Sequence, residues 1–221
     1  MTKKTAVLLT ALCALALPAT ASAQLGVAAR AGSLGVGGEV SYGLTRMLGF
    51  RAGVGFMPVT ISGTYGDLDY DVKPPEAVWN IGVDVYPFGG GLRVSAGLLN
   101  RPEWSMEGTY TGSTTVGGQT YTGTVDLNGT LTNERETAPY VSLGFGRATG
   151  RGFGFFMDLG AAFMGEGDIE LNGTCNSCPP SQQATFQSNL QAEEEQAEQD
   201  IKEYVKLHPI VQIGFRFGLP F

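Results

Sequence analysis

The chain has one histidine, His208. A triad with imidazole as base, or a zinc site of ordinary type, has only that ring to draw on, and no acid or nucleophile is singled out around it. Cys175 and Cys178 stand in the run Cys-Asn-Ser-Cys-Pro-Pro. Metal would need further ligands and none lies nearby, so in an exported chain this spacing reads as a small disulfide loop. Glu193-Glu194-Glu195, with Glu198 and Asp200, lacks the spacing of a calcium loop and reads as the wet face of a helix. No Gly-x-Gly-x-x-Gly run opens a helix, so the 33 glycines are not phosphate loops. We expect no cofactor, no metal and no catalytic constellation. What remains is isolated polarity set between apolar neighbours: Arg30, Glu39, Arg51, Asp84, Arg93, Asp158, Gln212 and Arg216, with Asn80, Ser95 and Ser142.

The elements that position those residues alternate with period two. Val205, Leu207, Pro209, Val211, Ile213, Phe215, Phe217, Leu219 and Phe221 share one face, against Lys206, His208, Gln212, Gly214, Arg216 and Gly218, with Ile210 as the exception. Such a pattern is a long strand with a different solvent on each side. The same alternation runs through Leu48 to Phe56, Trp79 to Val85, Leu92 to Leu98, Val141 to Phe145 and Phe153 to Phe163. Between Leu25 and Tyr42 the phase flips near Gly32-Ser33-Leu34-Gly35. Either a tight turn or a β-bulge would flip it. The even strand number of closed barrels favours the turn, which makes eight strands.

Connections alternate too. Those near 44–47, 87–91 and 147–152 are short, while 58–76, 102–136 and 166–204 are long and polar. This predicts an all-β fold, an eight-stranded antiparallel transmembrane barrel with long extracellular loops and a short amphipathic helix before the last strand. Within 105–133, Gly117-Gly118 signals a hairpin extending outside the membrane. Over 182–204, Phe186, Leu190, Ala197, Ile201 and Tyr204 recur at helical spacing, and we expect that helix to lie over the barrel mouth. Tyr42, Phe56, Trp79, Tyr86, Phe88, Trp104, Phe153, Phe163 and Phe221 fall near strand ends, where rings suit the headgroup level.

The amino terminus reads as an address. Lys3 and Lys4 precede a largely apolar run from Ala6 to Leu17, followed by Ala21-Ser22-Ala23, the pattern of a signal cleaved after Ala23. Residues 24–221 then form one barrel domain in the outer membrane. The 14 basic residues are outnumbered by 21 acidic ones, so nucleic acid is a poor partner. The expected partners are outer-membrane lipid, the barrel-assembly machinery, through the terminal aromatics Phe217 and Phe221, and a small-molecule solute.

An eight-stranded barrel is only wide enough for side chains or one small ligand. The inward charges are therefore either a paired plug or a narrow path lined with both signs, suited to small zwitterions or basic amino acids. A non-conducting barrel acting through its extracellular loops is the alternative to the channel.

Ala138-Pro139-Tyr140-Val141-Ser142-Leu143-Gly144-Phe145-Gly146, the stretch from Gly154 to Leu171, the Glu/Gln-rich segment and Pro209 to Phe217 resemble the small outer-membrane proteins typed as ornithine-uptake porins of the CarO kind. The likeness extends through Val83 to Phe88, Gly91 to Leu99 and Ala29 to Tyr42. It implies an eight-stranded barrel with a role in uptake of small basic amino acids. The Cys175–Cys178 insert and Pro220 depart from the pattern, and no family motif assigns transport residues.

Overall fold

The computed structural model describes residues 24–65, 68–147, 152–176, 178–202 and 204–219. The cleavage position after Ala23 and the terminal Phe221 lie outside them. Eight strands close into a barrel: β1 (Gln24–Gly32), β2 (Val36–Gly43), β3 (Leu48–Phe56), β6 (Ala77–Val85), β7 (Leu92–Asn100), β10 (Thr137–Phe145), β11 (Gly152–Phe163) and β13 (Leu207–Leu219). All pairs are antiparallel, and β13 closes on β1 with Leu25 opposite Leu219 and Gly32 opposite Gln212. At 8 to 13 residues the strands match the length that crosses a bilayer at a tilt.

The phase flip at residues 32–35 is a turn. The Gly35 N–H donates to Gly32 O at 3.0 Å, and Gly35 sits at φ +83°, where glycine carries no Cβ penalty. Ser33 pins this turn to β13: its N–H reaches Val211 O at 2.9 Å, and its Oγ accepts the Val211 N–H at 3.0 Å.

Outward positions are apolar yet exposed. Along β13, Ile213 and Phe215 are 50% and 55% exposed, while the intervening Gln212 is 3% exposed. Val54, Ile81, Val94, Leu143 and Leu159 continue the belt around the barrel. Such an exposed apolar surface is suited to hydrocarbon more than to water. The barrel thus reverses a soluble protein: oil outside, charge inside. Tyr86 departs from the expected belt. It is buried inside the short-turn end, with the Arg147 guanidinium 4.8 Å from its ring centroid.

The long connections carry regular structure of their own. They build a second, five-stranded sheet in the order β12-β9-β8-β5-β4. Its strands are β4 (Ile61–Tyr65), β5 (Leu68–Lys73), β8 (Trp104–Val116), β9 (Gln119–Asn133) and β12 (Gly167–Cys175). The β8–β9 hairpin turns at Gly117 (φ +57°) and Gly118 (φ +76°), the two positive angles of a tight hairpin turn. At about 3.3 Å per residue, β8 spans roughly 40 Å.

Helix α1 (Pro180–Ile201) lies against β12 and β8 of this sheet, which corrects the expectation that it covers the barrel mouth. Phe186 and Leu190 are its buried residues, and they join Val116, Tyr121, Val125 and Cys175 in a small core. That core offers α1 an apolar partner, whereas the mouth is already filled. Tyr204, expected on the same helical face, lies beyond the helix and is exposed. Cys175 and Cys178 are disulfide-bonded just before α1.

Candidate functional site: the barrel lumen

The inward residues of seven strands meet in one network. Arg51 of β3 is its hub. Its Nε lies 3.0 Å from Asp84 Oδ1 on β6, and its Nη1 lies 3.0 Å from Asp158 Oδ2 on β11 and 3.8 Å from Glu39 Oε2 on β2. Arg93 of β7 forks onto the same aspartate, with Nε 3.1 Å from Asp158 Oδ1 and Nη2 2.5 Å from Oδ2. Arg30 of β1 donates to Asn80 Oδ1 at 2.6 Å and lies 3.4 Å from Glu39. Ser95 donates to Asp84 at 2.6 Å, and Ser142 of β10 takes a 3.4 Å bond from Arg51.

All of these side chains are buried. Three arginines face three carboxylates, so the network is neutral, which is the condition for holding ions away from water. Arg216, also on the inward face, is half-buried toward the short-turn end beside Gly154.

Register explains how so narrow a tube accepts long charged side chains. Most residues directly across the ladders are small, Gln212 opposite Asp158 being an exception. Arg30 stands opposite Gly37 and Gly214, Glu39 opposite Ala28 and Gly53, and Arg51 opposite Ser41 and Gly82. Arg93 and Asp158 both stand opposite Gly144. A Cβ on Gly53 would sit 2.7 Å from Arg30 Cζ, inside van der Waals contact. The glycines are therefore the space in which the guanidinium groups lie.

Two features of the lumen go unread in the period-two pattern. The first is an apolar layer at the long-connection end, made of Leu34, Val78, Leu99, Ala138, Ala162, Met164 and Ile210 with Tyr140. The second is Phe156, 1% exposed, with Arg93 Cζ 5.2 Å from its ring centroid. A signal for it was available: Phe155 and Phe156 are adjacent, so in a strand only one of them can face lipid.

Between the charges and the apolar layer lies a cavity of about 10 Å³, roughly the space of one water molecule. Gln212 and Arg30 both line it, and among the described residues both polar atoms of Gln212, and Nε and Nη2 of Arg30, have no hydrogen-bond partner. Outside the barrel strands, Lys202 lies 2.9 Å from Glu166, and that hydrogen bond holds the Glu166 carboxyl below its usual range. Among the described residues no group of three metal-ligating side chains forms, and His208 is half-buried at the start of β13.

The sequence matches no protein-family model and no curated protein. Two solved structures share its architecture. CarO of Acinetobacter baumannii is 21% identical with a TM-score of 0.59, over 87% of this chain and 96% of that one. CarO2 of the same organism is 20% identical with a TM-score of 0.62, over 89% and 98%. The shared feature is the fold: a closed eight-stranded antiparallel barrel with a helix before the last strand. At such identities the likeness carries the architecture and not the solute.

Proposed function

We propose that this protein is an outer-membrane, porin-like β-barrel whose lumen is closed at rest by a charge-paired plug and an apolar layer, and which acts outward through its five-stranded sheet. The closed lumen rests on one observation: the Arg51–Asp158–Arg93 bridge crosses the tube, and the cavity beside Arg51 and Asp158 measures about 10 Å³. A hydrated amino acid does not fit such a space. Outer-membrane placement is supported by the exposed apolar belt, by short turns on one rim against a built-up sheet on the other, and by the leader-like first 23 residues. In this reading outer-membrane lipid solvates the belt, and the barrel-assembly machinery inserts the chain through its terminal strand, with Phe217 and Phe221 as the recognised aromatics.

A second reading is a narrow path for small basic or zwitterionic amino acids. It is favoured by the unpartnered atoms of Gln212 and Arg30 and by the two signs of charge beside them. Passage would require Arg51 to part from Asp84 and Asp158. Liposome swelling with ornithine, arginine, glutamate and a neutral sugar separates the two. We expect rates at the protein-free baseline for all four. Selective swelling with ornithine and arginine would establish the path instead. Repeating the assay with residues 182–200 deleted tests whether α1 contributes, and the expected result is no change, because α1 sits on the sheet.

A further inference from the structure

Charge is divided along the barrel axis. Of the 21 acidic residues, Glu39, Asp84 and Asp158 belong to the lumen network. Every other acidic residue lies in the long connections, 57–76, 101–136 and 164–206. The short connections, 44–47, 86–91 and 146–151, contain none. Their charged residues are Arg46 between β2 and β3, and Arg147 and Arg151 between β10 and β11, with Arg216 near the same end of β13. The cations of the outer half are mostly cancelled: Lys73, Arg135, Lys202 and Lys206 each lie within 4.0 Å of a carboxylate, and Arg101 is buried. Those of the short-turn rim have no acidic side chain of their own rim to meet.

Arg147 organises this rim. Its guanidinium stacks on Tyr86, its Nη1 donates to Gly89 O, and its Nη2 donates to Arg46 O at 3.1 Å. The Tyr86 N–H in turn donates to Met47 O at 2.8 Å. One side chain thus joins all three short turns. Thr45 Oγ1 fixes the first of them further, accepting the Met47 and Leu48 N–H groups at 3.1 and 3.0 Å. Carbonyl oxygens and a ring satisfy Arg147 without cancelling its charge, Arg46 stands exposed beside it, and Arg216 is within electrostatic reach of it. Apolar groups open toward the lipid at the same level: Phe88 is 82% exposed and Phe153 72%, and Met47 and Phe145 are exposed as well. Cations flanked by open aromatic rings suit the depth at which hydrocarbon gives way to headgroups.

Given the outer-membrane placement proposed above, on which this rests, we propose that the short-turn rim is a docking surface for anionic phospholipid headgroups. Arg46 contacts the phosphate, and Arg147 both contacts it and holds the turns that present Arg46. A guanidinium matches phosphate in geometry as well as in sign. Each basic residue at a membrane surface strengthens attraction to anionic lipid by about fivefold.

The purified protein is inserted into nanodiscs of mixed phosphatidylcholine and phosphatidylglycerol, and native mass spectrometry counts the lipids it retains. The parent should retain phosphatidylglycerol in preference to phosphatidylcholine. Arg46→Gln should lower that preference by about fivefold, and Arg46→Gln/Arg147→Gln should lower it further. Arg46→Lys, which keeps the charge, should hold most of it, and Lys73→Gln on the outer sheet should leave it unchanged. Arg147 braces three turns, so Arg46→Gln alone carries the decision if the double variant fails to fold. A parent without preference, an Arg46→Gln protein that matches the parent, or an equal loss in Lys73→Gln would overturn the proposal. Displacement of the retained lipid by inorganic phosphate at like concentration would overturn it too, since the rim would then be a free-anion site. Insertion without lipid preference defeats this inference alone, whereas failure to insert defeats the outer-membrane placement and this inference with it.

Discussion

Replacing Arg51 with methionine will lower the unfolding free energy of the barrel by about 3–5 kcal/mol. The size follows from what is left behind. Asp158 keeps Arg93, and Glu39 keeps Arg30, 3.4 Å away. Asp84 keeps only the Ser95 hydroxyl among the contacts described above, and among the described residues its Oδ2 has no hydrogen-bond partner even in the parent chain. A carboxylate only 1% exposed is shut away from the water that would otherwise compensate its charge. The double variant Arg51→Met/Asp84→Asn removes the stranded charge along with its partner and should recover most of the loss, because a buried pair as a whole contributes far less than either half stranded. Urea unfolding in lipid vesicles, followed by the fluorescence of Trp79 and Trp104, gives the values, and the double-mutant cycle isolates the coupling. A loss below about 1 kcal/mol would mean that water enters the lumen and screens the charges.

The second large effect lies on the other face. Ile213 is at the middle of β13, half-exposed, between Ala31 and Met157 on the neighbouring strands. Ile213→Arg should cost about 2–4 kcal/mol, the penalty of a cation at the bilayer midplane. On a water-facing surface the same change would stay within about 0.5 kcal/mol. Ile61 supplies the contrast. It is 55% exposed, as open as Ile213, but it belongs to β4 of the second sheet. Ile61→Arg should therefore be nearly silent in the same vesicle assay. Equal effects at the two positions would remove the distinction between a lipid-solvated barrel and a water-solvated sheet.

The barrel was legible in the sequence because each of its strands separates two unlike surroundings, so every second residue of a segment such as Leu92–Leu98 declares its side. The charged residues of the lumen were legible for the same reason: Arg30, Arg51, Arg93 and Asp158 each interrupt an apolar stretch at an inward position. Their pairing was not, because a strand pattern fixes direction but not which strand closes on which across the tube. The apolar layer was hidden by the expectation of a hydrophilic interior, which leaves Leu34 and Ile210 looking like irregularities. The second sheet was missed in part for want of contrast. Ile169 and Leu171 alternate with Asp168, Glu170 and Asn172, and Leu68, Tyr70 and Val72 alternate with Asp69, Asp71 and Lys73. Those runs are short and polar enough to pass for loops. For α1 the helix itself was readable, but its placement was not, since the core formed by Phe186, Leu190 and Tyr121 joins segments far apart in the chain.

The closed lumen is the claim on which the functional reading stands. Single-channel recording of the purified protein in planar bilayers addresses it directly. A barrel crossed by the Arg51–Asp158–Arg93 bridge should give a current indistinguishable from the bare membrane, or rare events far below those of a general porin. Stable steps of general-porin size in the parent protein would contradict it.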